Sequence, residues 1–76
     1  MIELTVSFFR NDAPLGAEDD IRRAVGKRES GSGYVVRDGL RDLVFDFRSR
    51  DRAVEARRKV RRDVKWAGQI TVRKAG

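Results

Sequence analysis

Residues 34–48 of the chain read YVVRDGLRDLVFDFR. The Asp38-Gly39 pair in this segment separates two β-prone runs, and such a dipeptide is typical of a two-residue hairpin turn. The pattern predicts one strand from Tyr34 to Arg37 and a return strand from Leu40 to Arg48.

The register of this hairpin decides which of its side chains are buried. If Asp38-Gly39 forms the whole loop, Tyr34 lies opposite Leu43 and Val36 lies opposite Arg41. A slip of one residue would move every side chain to the other face of the sheet. The predicted inner face of the hairpin consists of Tyr34, Val36, Leu43, Phe45 and Phe47.

Period-two alternation also marks the first and last strands. Apolar and polar residues alternate over residues 2–8, and Gln69 to Arg73 predicts a final strand with Ile70 and Val72 inward. Residues 30–33, which read SGSG, predict a break before the hairpin. The expected outer face of the sheet carries Glu3, Thr5, Ser7, Val44, Asp46, Gln69 and Thr71.

A short first helix is predicted to begin near Ala17. The acidic residues 18–20 favour the start of a helix, because the helix dipole attracts negative charge there. Ile21, Ala24 and Val25 form its buried stripe, and Gly26 is expected to weaken it internally.

The second helix has the clearer pattern. Ser49 or Asp51 can cap its start, and Glu55 is placed to pair with Lys59 one turn later. Its narrow apolar stripe consists of Ala53, Ala56, Val60 and Val64. On its opposite side we expect Arg58, Arg62 and Lys65.

The order of these elements is βαββαβ. Two helices over one face of a four-stranded antiparallel sheet bury both apolar stripes in the simplest way. The sequence therefore predicts an α+β, ferredoxin-like sandwich that forms a single domain over residues 1–76, with the first and third strands central.

Composition narrows the possible chemistry. The 76 residues include neither cysteine nor histidine, so the chain lacks thiolate ligands, imidazole ligands and the commonest general base. No apolar run approaches the roughly 18 residues of a membrane span. We therefore expect a cytoplasmic protein with no catalytic residues, no metal, no cofactor and no membrane partner.

The basic charge is concentrated in one segment. The net charge of the chain is +6, and residues 48–65 alone carry nine cations and three anions. Such asymmetry points to an anionic partner. The alternative interpretation is a solvated helix face in a protein whose arginine-rich composition reflects a GC-rich genome.

The segment Phe45-Asp46-Phe47-Arg48-Ser49, followed by alanines 53 and 56, resembles the passage from third strand to second helix in an RNA-recognition motif. In that family, aromatic rings on the open sheet face stack RNA bases. The corresponding positions here are Asp42 and Val44, which carry no ring. Stacking of RNA on the sheet is therefore not predicted.

A second resemblance is to the acylphosphatases, in the segments Phe8-Phe9-Arg10 and Gly33 to Gly39. It implies that Arg10 binds phosphate. However, residues 3–7 contain no glycine to open backbone N–H groups towards an anion, and Arg37 stands where that family has its catalytic Asn. Neither acylphosphatase activity nor a magnesium-dependent nuclease built on Asp12, Asp19, Asp20 and Asp46 is predicted.

The preferred function is a non-enzymatic module that contacts the phosphates of DNA or RNA with little sequence specificity. An acidic protein could occupy the same surface. The rival is a homodimeric interaction or regulatory module that uses Thr5, Val44 and Thr71 on the open sheet face. The predicted nucleic-acid-binding residues are Arg57, Arg58, Lys59, Arg61, Arg62 and Lys65.

Overall fold

The computed structural model describes residues 1–74, so the last two residues of the predicted domain, 75 and 76, lie outside the described residues. The predicted α+β class, with two helices and a four-stranded antiparallel sheet, is confirmed. The sheet order is β2-β3-β1-β4, with β1 and β3 in the centre. The elements are β1 (Ile2–Phe9), a 3-10 turn (Arg10–Asp12), α1 (Ala17–Val25), β2 (Gly31–Val35), β3 (Leu40–Phe47), α2 (Arg50–Asp63) and β4 (Gln69–Lys74).

One hydrophobic core lies between the sheet and the helices. Alternate residues of β1 and β3 are buried, as period-two patterning requires. Both helices contribute to this core, so both cover the same face of the sheet. Trp66, after α2, extends the core by packing edge-on against Phe8, with 5.3 Å between the ring centroids. The largest fully buried side chains are Leu4, Val6, Ile21, Leu43, Phe45 and Val60.

The predicted hairpin register is wrong by two residues. Tyr34 lies opposite Arg41, and Val35 lies opposite Leu40. The loop therefore has four residues, 36–39. Within it, Gly39 adopts a φ of +69° and its N–H donates to the carbonyl of Val35 at 2.8 Å.

The longer loop moves β2 towards the N-terminus. The predicted break at residues 30–33 is therefore wrong, since residues 31–33 pair with β3. Tyr34 and Val36 are also not inner-face core residues. Tyr34 is 42% exposed and Val36, in the loop, is 78% exposed.

The helix ends follow local signals. Gly26 does not weaken α1 internally but ends it, with a φ of +88° and its N–H donating to the carbonyl of Arg22. Ser49, and not Asp51, caps α2: its hydroxyl accepts a hydrogen bond from the N–H of Arg52 at 3.3 Å. Both geometries satisfy backbone groups that a helix end leaves without partners.

The expected outer face of the sheet is open. Thr5 of β1 lies between Val44 of β3 and Thr71 of β4, and Glu3 lies between Asp46 and Arg73 in the same way. In the described part of the chain no helix covers these residues, because α1 and α2 pack on the other face. Within residues 1–74, none of the helices has the length and apolar character needed to cross a membrane.

Candidate nucleic-acid interface

Helix α2 is fixed on the sheet by one narrow face. The four residues predicted for its apolar stripe are buried: Ala53, Ala56, Val60 and Val64. They pack α2 against β1, β3 and β4 and against α1. The rest of the helix circumference is available to solvent or to a partner.

The outermost face of α2 has mixed charge. Nη1 of Arg58 lies 3.1 Å from Oε2 of Glu55, so the predicted pairing of Glu55 with Lys59 is wrong. Arg62 bonds Asp63 through Nε at 2.9 Å and Nη2 at 3.2 Å. This contact lowers the pKa of Asp63 and raises the pKa of Arg62. Two of the predicted binding arginines therefore already have carboxylate partners on their own helix.

A purely cationic stripe runs along one side of α2. Its residues are Arg50, Arg57 and Arg61, which recur with Val54 at spacings of four, three and four and so lie on one side of the helix. We call the three arginines the basic stripe. Within residues 1–74, none of them lies within 4.0 Å of a carboxylate.

Arg57 is half-buried, whereas Arg50 and Arg61 are exposed. Arg57 is the member of the basic stripe closest to the buried residues of α2. It lies between the buried stripe and the exposed face, where the aliphatic part of an arginine can cover apolar surface while the guanidinium reaches solvent. Such anchoring reduces the freedom that an arginine loses when it binds an anion.

The basic stripe faces the side of the molecule that carries β4. Arg61 and Lys65 line a shallow depression there together with Gln69 and Thr71. Lys74 lies at the other end of β4, where it pairs with Ile2 of β1. Because alternate residues of a strand share a face, Lys74 is on the same face as Ile70 and Val72. Cations therefore extend along the whole α2–β4 side.

Lys59 lies on the other side of α2, towards α1. With Arg52 it lines a groove between the two helices, to which Asp51 and Glu55 also contribute. The structure thus brings Arg57, Arg61 and Lys65 together and separates Lys59 from them. Sequence reasoning missed Arg50, although the spacing of residues 50, 54, 57 and 61 contained the signal.

Arg10, the arginine of the acylphosphatase resemblance, contacts an aromatic ring. Its guanidinium lies over Tyr34, 5.5 Å from the ring centroid. Its backbone N–H donates to the carbonyl of Gly39 at 2.9 Å. Both contacts tie the end of β1 to the hairpin loop.

No protein-family model, curated protein or solved structure matches the chain. Over residues 1–74, no group of three or more Asp and Glu side chains is placed to hold a metal ion. The basic stripe is the feature with the most distinctive chemistry.

Proposed function

We propose that the chain is a non-enzymatic binding module that contacts nucleic-acid phosphates through α2 with little sequence specificity. The observation that carries the proposal is the basic stripe, whose three arginines have no carboxylate partner within residues 1–74. We further propose that the domain is ferredoxin-like. The central position of β1 and β3 and the two helices on one sheet face support that classification.

The stripe suits a linear polyanion. Arg50 and Arg61 are eleven residues apart, which corresponds to about 16 Å along a helix at 1.5 Å per residue. A nucleic-acid duplex presents one negative charge per roughly 1.7 Å of its axis, so several phosphates lie within reach of the stripe. Each guanidinium can grip a phosphate with two parallel hydrogen bonds.

The proposed arginine contacts go to phosphates and not to guanine edges, so we expect low sequence specificity. The basic stripe and the adjacent Val54 include no Asn or Gln side chain that could pair with adenine edges. Contacts to phosphate position a protein on a duplex but carry no information about the bases. The affinity should therefore come from charge and from the release of counterions.

The alternative of a homodimer through the open sheet face remains a prediction. Among the strand residues described on that face, Glu3, Asp42 and Asp46 are acidic and only Arg73 is basic. Two copies stacked face to face would bring carboxylates towards one another, which disfavours this arrangement. The open face supplies no comparable argument for a second function.

Fluorescence anisotropy tests the proposal directly. Labelled duplex DNA and duplex RNA, each in two unrelated sequences, are titrated with the protein between about 50 and 200 mM salt. We expect similar affinities for the two sequences and a slope of log K against log salt of about −3 to −4, which corresponds to three or four phosphate contacts. Absence of binding at low salt would refute the proposal. Equal competition by polyglutamate, matched in charge, would instead indicate an acidic protein partner.

A further inference from the structure

The basic stripe ends beside a row of uncharged polar side chains. A short connection, residues 64–68, joins α2 to β4, so the last turn of α2 lies next to the first residues of β4. Arg61 and Lys65, about one helical turn apart, line a shallow depression together with Gln69 and Thr71, which share one face of β4. All four residues are exposed. The helix therefore supplies cations to this depression, and the strand supplies neutral hydrogen-bonding groups.

The neutral side of the depression suits a hydroxyl group better than an anion. The hydroxyl of Thr71 and the amide of Gln69 each donate and accept hydrogen bonds, as a ligand hydroxyl does. The depression also lies at the C-terminal end of α2, where the last carbonyls of a helix have no partner within it and carry partial negative charge. This charge disfavours a phosphate inside the depression, whereas a hydroxyl can donate a hydrogen bond there.

The depression has no surface on which an unpaired base could stack. None of the described residues that line it is aromatic. Trp66, in the connection between α2 and β4, instead packs against Phe8 of the core. Proteins that bind single strands without sequence preference combine cations with aromatic rings that stack the bases. The α2–β4 side therefore fits the phosphates and sugars of a duplex, whose bases stack on one another.

We propose that the preferred ligand of this side is double-stranded RNA, whose 2′-hydroxyls contact Gln69 and Thr71 while Arg61 and Lys65 hold adjacent phosphates. The inference rests on the proposed function and narrows its ligand. Each 2′-hydroxyl belongs to a sugar next to a phosphate, so a protein that holds the phosphate has the hydroxyl beside it. Double-stranded RNA displays both groups along a wide, shallow minor groove. DNA lacks the hydroxyl and binds through the cations alone.

Fluorescence anisotropy with three duplexes of one sequence tests the proposal. The duplexes are RNA, RNA in which fluorine replaces every 2′-hydroxyl, and DNA. The fluorinated duplex keeps the A-form of RNA, so it removes the hydroxyl without changing the shape of the double helix. We expect RNA to bind roughly tenfold more tightly than either other duplex, because both lack the hydrogen bonds to Gln69 and Thr71. The RNA and the fluorinated duplex should have the same salt slope, since their phosphates are the same.

A double variant tests where the hydroxyls bind. Q69M/T71V removes both neutral hydrogen-bonding groups and leaves the charge of the site unchanged. It should weaken RNA binding roughly tenfold, and it should not change the affinity for the fluorinated duplex. T5V/S7A is the matched control on β1, where these two residues pair with Thr71 and Gln69. The control should leave both affinities unchanged, and circular dichroism checks that both variants are folded.

The possible failures of this inference and of the proposed function are distinguishable. Equal, salt-dependent binding of RNA and the fluorinated duplex would overturn the inference and leave the proposed function intact. An equal loss for both duplexes in Q69M/T71V would also overturn it, because the 2′-hydroxyl would not be the group contacted. So would a loss confined to one of two unrelated RNA sequences, since Gln69 would then contact base edges. If no duplex binds at low salt, the proposed function and this inference are both wrong.

Discussion

Arg22 of α1 forms a bidentate ion pair with Glu29, in the segment that leads into β2. Nε of Arg22 lies 2.7 Å from Oε1 of Glu29, and Nη2 lies 2.7 Å from Oε2. Nη1 of the same guanidinium donates to Asp19 at 2.7 Å. The pair fixes the connection between α1 and the edge strand β2.

Because of this pair, we expect the protein to become less stable at acidic pH. The hydrogen bonds from Arg22 lower the pKa of Glu29 from its usual 4.5 to about 2. A carboxyl group whose pKa is lower in the folded state stabilises the fold above its unfolded pKa and loses that contribution as the pH falls. We expect the free energy of unfolding to decrease between about pH 4.5 and pH 2 by on the order of 1–2 kcal/mol from this group.

Glu29→Gln tests the assignment. At neutral pH the variant should be less stable by a similar amount, on the order of 1–2 kcal/mol, because Arg22 loses its bidentate carboxylate partner. Urea denaturation at several pH values should show this difference shrinking as the pH approaches about 2. A difference that stays constant across the range would contradict the role of Glu29.

The left-handed conformation of Gly39 provides a test of the four-residue hairpin loop. Gly39→Ala should destabilise the protein by about 1–2 kcal/mol, because an L-residue is strained at a φ of +69°. Gly33→Ala is the control: its φ is not positive, and an added Cβ meets no atom within 4 Å. Thermal unfolding at low protein concentration should separate the two variants. Equal destabilisation would argue for a different loop.

A buried carboxylate oxygen on the open sheet face should reduce stability. Oδ1 of Asp42 is buried and has no hydrogen-bond partner within residues 1–74. Since an unsatisfied buried polar atom costs about 1–3 kcal/mol and valine is a better strand former, Asp42→Val should stabilise the fold by roughly 1 kcal/mol. Asp46→Val, on the same face of the same strand, should have a smaller effect in urea denaturation. A loss of stability in Asp42→Val would show that the carboxylate has a partner in solution.

The hairpin shows where sequence reasoning reached its limit. The Asp38-Gly39 pair correctly indicated a turn, and the alternation from Leu43 to Phe47 correctly indicated the buried face of β3. A glycine in the left-handed conformation fits hairpin loops of two or four residues, so the Asp38-Gly39 pair did not determine the loop length. Because β2 is an exposed edge strand, its sequence has no buried positions to fix its register.

The candidate site was also predictable only in part. Its location on α2 was predictable, because charge and periodicity are both properties of the sequence. The division of the cations between two sides of α2 was harder to predict, since Glu55 could reach either Arg58 or Lys59 within one turn. The ion pair of Arg62 with the adjacent Asp63 depends on side-chain rotamers.

The most direct test of phosphate binding by the basic stripe compares two double variants with the same change in charge. In the anisotropy assay on duplex DNA, R57Q/R61Q removes two arginines of the stripe, whereas R58Q/R62Q removes two that are paired with carboxylates. Circular dichroism controls for folding. We expect R57Q/R61Q to weaken binding roughly tenfold or more and to reduce the salt slope by about 2, and R58Q/R62Q to weaken binding less than about threefold. Equal losses in the two variants would contradict the account, because binding would then depend on total charge alone.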